Sequence, residues 1–331
     1  MTLIKKVFII TIMLGNLGCQ AQTNKKMEEN KNPLMCDPVE GICGIPDSTV
    51  KTEIVAQTIE KPVKVVYFTD PICSSCWGIE PQLRKLKLEY GNSIEIEYRM
   101  GGLLPDWNYN SGGISKPSDV AHHWDEVSVY YDMPIDGDVW LEDPLQSSYP
   151  PSIAVKAAQM QDHEKAILFL REIREMVFLK KRNITKWEHL EAAAKSVGLD
   201  LNKFREDYNG RAKELFNEDL TLGKQLGVRG FPTMFFTDTS GKTETVYGSK
   251  PYEAFENAII KLLPKVQKIN YDKSTTAVFS HYQSLTAKEY SVLTETAKSQ
   301  GEQVLNDLVA NGKLEKLTTK NGSVWKLKNA D

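Results

Sequence analysis

The sequence predicts an α/β fold in which a mixed sheet carries helices on its faces. Lys64 to Phe68 is a short run of apolar, β-branched and aromatic residues, which is typical of a buried strand. Ile94 to Met100 alternates apolar and charged residues, and this period of two predicts a half-buried strand. Strands return at Thr233 to Phe236 and at Thr243 to Tyr247, with a turn at Ser240-Gly241 between them.

Helical spacing accounts for most of the other apolar residues. Ile79, Leu83 and Leu86 predict a helix after the first strand. Residues from about 106 to 226 are expected to form a large helical insertion, in which Thr185-x-x-Glu188 has the pattern of a capping box. A last amphipathic helix precedes Pro264. Residues 51–265 are therefore expected to form one domain.

Residues 266–331 are expected to form a small winged-helix-like module. Thr286-x-x-Glu289 and Ser299-x-x-Glu302 each have the pattern of a capping box, and Gly312 is expected to end the second helix. Two apolar segments flank Lys320-Asn-Gly-Ser323, which indicates a β-hairpin. The sequence thus predicts two helices and a hairpin.

The amino-terminal residues resemble an export signal. Lys5 and Lys6 precede a short apolar run, and residues 1–18 fit a signal peptide that ends before Cys19. Cys19 is the expected lipidation site, and residues 19–50 are expected to form a polar tether. From this signal we expect a lipid-anchored protein in the periplasm, which would contact the membrane through its lipid alone.

The composition excludes some classes of partner. The 331 residues are 41% hydrophobic and 26% charged, with a formal net charge of −3. Residues 286–331 contain seven Lys, no Arg and six acidic residues, whereas a DNA-binding module requires a strong basic surplus. We therefore expect no nucleic-acid partner.

Five cysteines are present, so lipidation of Cys19 would leave two pairs. Cys36 and Cys43 are expected to form a second disulfide, either as an inert clip or as a relay to the other pair. Weaker alternatives are copper handling through Met35, Cys36 and Cys43, and a zinc site that uses all four cysteines. No resident metal or cofactor is expected, and His122-His123, within an amphipathic helical stretch, is predicted to lie on the surface or to take part in packing rather than to bind a metal.

Cys73-Ser-Ser-Cys76 follows the first predicted strand and opens a helix. Residues three apart at a helix start can form a disulfide, and the helix N-terminus favours a thiolate. This spacing predicts that Cys73 is the nucleophile and Cys76 the resolving thiol.

Three segments together resemble the DsbA-like branch of the thioredoxin superfamily that carries a helical insertion. They are Phe68 to Gly78, Arg99 to Leu103, and Gly227-Val-Arg-Gly-Phe-Pro232-Thr. Within this branch the chain is similar to FrnE-type disulfide isomerases and to the protease-adaptor proteins related to them. The resemblance implies a thioredoxin fold and a cis-proline at Pro232 that contacts bound peptide.

Two functions from different classes follow from the resemblance. The first is an enzyme, a thiol–disulfide oxidoreductase with Cys73 and Cys76 as catalytic residues and Trp77, Phe231 and Pro232 as substrate contacts. Its expected partners are cysteine-containing proteins and a redox partner. The second is a non-catalytic binding or adaptor protein on the same scaffold.

Overall fold

The computed structural model describes residues 36–37, 42–43, 61–108 and 115–328. The chain divides into two units, Met1–Ile59 and Glu60–Asp331. In the first unit, strands β1 (Cys36–Asp37) and β2 (Ile42–Cys43) pair antiparallel, with Cys36 opposite Cys43 in the register. Cys19 lies outside the described residues, and the predicted bond between Cys36 and Cys43 stays a prediction.

A four-stranded sheet forms the centre of the second unit. Its order is β4-β3-β5-β6, where β3 runs parallel to β4 and antiparallel to β5. The strands are β3 (Val63–Thr69), β4 (Ile94–Met100), β5 (Thr233–Asp238) and β6 (Thr243–Tyr247). These strands confirm the predicted mixed sheet, and the residues on the inner side of β3 are fully buried because helices cover it.

Helices separate and follow these strands. Two follow β3 and one follows β6: α1 (Ser74–Gly78), α2 (Glu80–Tyr90) and α10 (Tyr252–Leu262). Seven described helices lie between β4 and β5, where the sequence predicted a helical insertion: α3 (Pro117–Tyr131), α4 (Val139–Glu142), α5 (Tyr149–Gln159), α6 (His163–Leu179), α7 (Trp187–Ser196), α8 (Leu201–Asn209) and α9 (Arg211–Gln225). Among the described helices none is both long and apolar enough to cross a membrane.

The last residues build a second sheet with its own buried core. The elements are α11 (Thr275–His281), β7 (Ser284–Thr286), α12 (Ala287–Thr294), α13 (Lys298–Ala310), β8 (Leu314–Thr319) and β9 (Gly322–Leu327). The strand order is β7-β9-β8, and we call α11 to β9 the C-terminal unit. Both predicted helices and the hairpin are present. Sequence reasoning missed β7, because three residues carry too short a pattern.

Two of the three predicted capping boxes are wrong. Thr286 and Glu289 do cap α12 reciprocally. However, α7 begins at Trp187 with no side-chain cap, and α13 begins at Lys298, so neither Thr185 nor Ser299 caps a helix. In the first case Asn183 accepts the hydrogen bond from the Thr185 hydroxyl instead, which occupies the side chain in a turn.

Candidate functional site

The cysteine pair lies where β3 leads into α1. Cys73 is the N-cap of α1, and its Sγ accepts a hydrogen bond from the backbone N–H of Cys76 at 3.1 Å. The register pairs Phe68 with Thr233, so Pro232 lies at the same end of the sheet from which the chain continues to Cys73. The Phe231–Pro232 peptide bond is cis. The tertiary structure therefore brings the two predicted motifs to one edge.

Both thiols are shielded from solvent. Cys73 is 4% exposed and Cys76 is 0% exposed. The Ser75 hydroxyl, between them in the chain, forms a 2.7 Å hydrogen bond with the Tyr131 hydroxyl of α3. Tyr131 in turn packs so tightly on Gly78 that a Cβ there would lie 2.4 Å from its ring. Helix α3 of the insertion thus covers the cysteine-bearing helix.

The pKa values of the two thiols shift in opposite directions, because the groups around Cys76 outweigh the effect of burial and those around Cys73 do not. Burial raises the pKa of the Cys73 thiol well above its ordinary value, so Cys73 is protonated at neutral pH. Burial also opposes ionisation of Cys76, but the Cys73 thiol, the Arg174 guanidinium and the hydroxyls of Thr69 and Tyr67 outweigh it and lower the pKa of Cys76. This distribution differs from the one that the sequence predicted, in which Cys73 carries the thiolate. The helix N-terminus acts on Cys73, yet burial is the larger effect.

Sequence reasoning missed Arg174, which is 1% exposed. From α6 it donates to Glu80 at 2.7 Å, to the Thr69 hydroxyl at 2.6 Å and to the Asp70 carbonyl at 3.2 Å. Glu80 is the first residue of α2 and directly precedes Pro81. No sequence signal could identify Arg174, because it lies about 100 residues away on an amphipathic helix.

Asp70 is a second buried charged group at this edge. Its carboxylate accepts hydrogen bonds from Ile72 N–H at 3.0 Å, Leu103 N–H at 2.8 Å and the Ser148 hydroxyl at 2.9 Å. Burial raises its pKa from 3.8 to about 6, although these hydrogen bonds and Arg174 act in the other direction. Asp70 therefore ties three segments together next to the cysteine pair.

We expect Asp70→Asn to remove a pH dependence of stability. The folded protein takes up a proton on Asp70 near pH 6, whereas the unfolded chain does so only near pH 3.8. This carboxyl therefore makes the free energy of unfolding fall as the pH rises from about 4 to 6, by up to about 3 kcal/mol. Urea unfolding of both proteins between pH 4.5 and 7 measures the difference. Parallel curves would show that Asp70 does not titrate in this range.

The predicted aromatic contacts lie at different depths. Trp77 is 0% exposed, donates its Nε1–H to the Pro134 carbonyl at 3.0 Å and stacks on Phe178. Trp77 is therefore a core residue and offers no surface to a partner. Phe231 is half-buried and packs on Gly101, where a Cβ would lie 2.0 Å from its ring. Pro232 is itself buried, so of the three predicted contacts Phe231 alone is partly exposed, and contact with a bound chain stays a prediction.

The imidazole pair predicted on a helix surface lies on α3. Both His122 and His123 are exposed, and His122 lies 3.2 Å from Glu126. Within residues 61–108 and 115–328 no three His, Cys, Asp or Glu side chains are grouped closely enough to hold a metal ion.

Comparison with known proteins gives consistent matches. The family model Thioredoxin_5, described as thioredoxin, matches residues 67–257. A relative from Halalkalibacterium halodurans, named "ClpXP adapter protein SpxH", is 33% identical over 91% of this chain and 99% of its own length. The protein of that name from Bacillus subtilis is 28% identical over 81% of this chain and 90% of its own.

A solved structure supports the fold alone. A Nitrosomonas europaea protein, provisionally named a protein disulfide isomerase, is similar with a TM-score of 0.52 and 22% identity. The match covers 62% of this chain and 97% of that one. The predicted thioredoxin fold with helices between its strands is thus confirmed.

These matches overturn two predictions. The prediction of a thiol–disulfide oxidoreductase is wrong, because the relatives that match over most of the chain are named adapters rather than enzymes. The prediction of a lipid-anchored periplasmic protein is also wrong, since relatives named for the protease ClpXP point against the cell envelope. A protein partner, the coarser part of the partner prediction, agrees with these names.

The alternative function that the sequence left open, an adaptor on a thioredoxin scaffold, is therefore the better supported one. With a family model that covers more than half of its residues and a relative that is one-third identical along nearly its whole length, this chain belongs to the thioredoxin family, on the branch that includes the SpxH adapters.

Proposed function

We propose that this chain is a non-catalytic adaptor that binds a protein client and a ClpXP-type protease. The observation that carries the proposal is the extent of the match. A match over 91% of 331 residues leaves out about 30, so it includes at least half of the 66 residues after Lys265. The resemblance to the SpxH adapters therefore extends beyond the thioredoxin fold into the C-terminal unit.

The C-terminal unit is held firmly against the rest of the second unit. At the tip of its hairpin, Lys320 contacts Asp125 at 2.5 Å and Asp138 at 2.9 Å, and Asn321 donates to the Ile135 carbonyl at 2.8 Å. Because the tip of this hairpin is bonded to the insertion, the hairpin is not free to contact a nucleic acid. The arrangement supports a rigid platform for proteins.

The surface of the C-terminal unit also supports a protein partner. Helix α13 carries Glu302 and Asp307 and contains a single basic residue, Lys298, which is paired with Asp132. A phosphate backbone would be repelled by such a helix. The presence of cysteine in the client stays a prediction.

The purified full chain is expected to bind ClpX from its own organism and from Bacillus subtilis in a saturable manner, as measured by biolayer interferometry. Cys73→Ser is expected to bind equally well, because the thiol is buried. The Bacillus subtilis SpxH protein is the positive control. In the insulin-reduction assay, the rate of reduction with the chain or with Cys73→Ser should equal the rate without protein.

Either of two results would contradict the proposal. Absence of binding to both ClpX proteins would remove the adaptor role. A rate of insulin reduction that depends on Cys73 would show that the chain is an enzyme.

A further inference from the structure

The end of helix α3 and the residues that follow it contact the cysteine-bearing helix α1. The Tyr131 hydroxyl forms a 2.7 Å hydrogen bond with Ser75, which lies between the two cysteines in the chain. The Pro134 carbonyl accepts a hydrogen bond from Trp77 at 3.0 Å. Burial raises the pKa of the Tyr131 hydroxyl, and both thiols of the cysteine pair act in the same direction, so this ring lies close to the pair. We call residues 117–135 the α3 segment.

The hairpin of the C-terminal unit contacts the same segment from the other side. Asn321, at the tip of the hairpin, donates hydrogen bonds to the Asp125 carboxylate and to the Ile135 carbonyl, both at 2.8 Å. The approach is so close that a Cβ on Gly322 would lie 2.9 Å from Pro134. The α3 segment therefore lies between the helix that carries the cysteines and the tip of this hairpin.

Helix α3 buries little of its own surface. Of its 15 residues four are buried, Val120, Ala121, Trp124 and Ser128. By comparison, seven of the 11 residues of α5 and nine of the 17 residues of α6 are buried. A helix with few buried side chains opens locally at a lower free-energy cost than the unfolding of the whole domain. The contacts at the end of α3 are therefore a large part of what keeps this helix in place.

Cys73 is shielded although it lies at the end of a helix. It is the N-cap of α1, and it is only 4% exposed. A cysteine needs a partly exposed position to react with a dissolved reagent. Tyr131 is the part of the α3 segment that packs on α1, through Ser75 and Gly78. Movement of this segment away from α1 would therefore bring the Cys73 thiol into contact with solvent.

We propose that the α3 segment is a lid over Cys73 and that the tip of the C-terminal hairpin holds this lid closed. When Asn321 releases its two acceptors, the lid separates from α1 and the thiol becomes accessible. A protein that binds the hairpin tip only in the released state shifts the equilibrium towards the open lid, and so exposes Cys73. The inference goes beyond the adaptor function and does not depend on binding to ClpX, so each can fail without the other.

The test measures the rate at which iodoacetamide alkylates Cys73 in the reduced full chain, with mass spectrometry that separates Cys73 from Cys76. The ratio of this rate to the rate in the urea-unfolded chain gives the fraction of molecules with an open lid. Hydrogen–deuterium exchange of the α3 amides reports the same opening without the thiols. Asn321→Ala, which removes two hydrogen bonds, is expected to raise both readouts about tenfold, and Tyr131→Phe, which removes one, about fivefold.

Two matched controls should behave like the natural chain. Asn306→Ala removes a 3.0 Å hydrogen bond to Lys316 that lies within the C-terminal unit, and Tyr130→Phe removes a hydroxyl from a side chain that is 79% exposed. Either of two results overturns the proposal. Equal rates in Asn321→Ala and Asn306→Ala would show that the hairpin does not hold the lid. Exchange of the β3 amides as fast as that of the α3 amides would show that Cys73 is reached only by unfolding of the whole domain.

Discussion

Glu289→Gln is expected to lower the free energy of unfolding by about 3–5 kcal/mol, since it removes the carboxylate that two buried arginines share. The Glu289 side chain is fully buried and binds Arg171 through both oxygens, at 2.8 and 3.1 Å. Arg84 lies 3.3 Å away and also donates to the Ser284 carbonyl at 2.8 Å. Glu289 thus joins the C-terminal unit to α2 and α6.

Glu289 also caps its own helix, because its Oε2 accepts the Thr286 N–H at 2.8 Å. Without Glu289, Arg171 would keep its 2.7 Å bond to Glu175, which also accepts from the Ser284 hydroxyl, and among carboxylates Arg84 would keep only its 3.7 Å contact with Glu80. The two arginines would therefore lose the carboxylate that they share, in a site that is mostly shielded from solvent. The stability is lost because the buried guanidinium groups remain out of water and have one carboxylate fewer to pair with.

Glu295→Gln is the matched control at the other end of α12. Glu295 pairs with Lys85 at 2.8 Å and Lys273 at 2.6 Å, but its side chain is 43% exposed. Its loss should cost at most about 1 kcal/mol. Urea unfolding at pH 7 compares the two variants, and equal losses would show that the Glu289 network does not stabilise the docking of the C-terminal unit.

The second large effect is expected from Arg174→Met. Without the guanidinium, the Glu80 carboxylate keeps only the 3.7 Å contact with Arg84, and the Thr69 hydroxyl and the Asp70 carbonyl lose a donor. We expect a loss of about 3 kcal/mol in the free energy of unfolding. The variant should also raise the pKa of the Cys76 thiol, because Arg174 favours the Cys76 thiolate.

Two measurements separate these effects. Urea unfolding gives the stability, and the pH dependence of alkylation by iodoacetamide, with mass spectrometry of each cysteine, gives the titration of the thiols. Lys180→Met removes a cation near the end of the same helix whose 2.8 Å pair with Glu172 is partly exposed. This control should leave both measurements nearly unchanged. An unaltered alkylation profile in Arg174→Met would show that Arg174 does not act on the thiols.

Buried Trp77 links the helix that carries the cysteines to residues of α6 and the C-terminal unit. Arg171 lies 4.3 Å above the Trp77 ring, and Trp77 follows Cys76 directly. Glu289 of the C-terminal unit therefore reaches the helix that carries the cysteines through Arg171 of α6. We therefore expect a change in the cysteine-bearing helix to alter the packing of the C-terminal unit, and the reverse.

Local sequence patterns were enough to predict the individual strands and helices, and to identify the Cys73/Cys76 motif and the segment before Pro232. The period of two in Ile94 to Met100 and the apolar run before Cys73 specify strands, because strand side chains alternate between faces. The hairpin around Lys320 and the box Thr286-x-x-Glu289 were also predictable, since their interactions are between close neighbours in the chain.

The surroundings of the cysteines became visible in the tertiary structure alone. Arg174, Tyr131 and Ser148 reach this edge from helices or loops that are 56 to 104 residues away from their partners, so no local pattern reports them. The helix N-terminus favours a thiolate on Cys73, and that much is visible in the sequence. Burial of the same thiol depends on α3, which folds back from the insertion, and the cost of burying a charge exceeds the gain from the helix end.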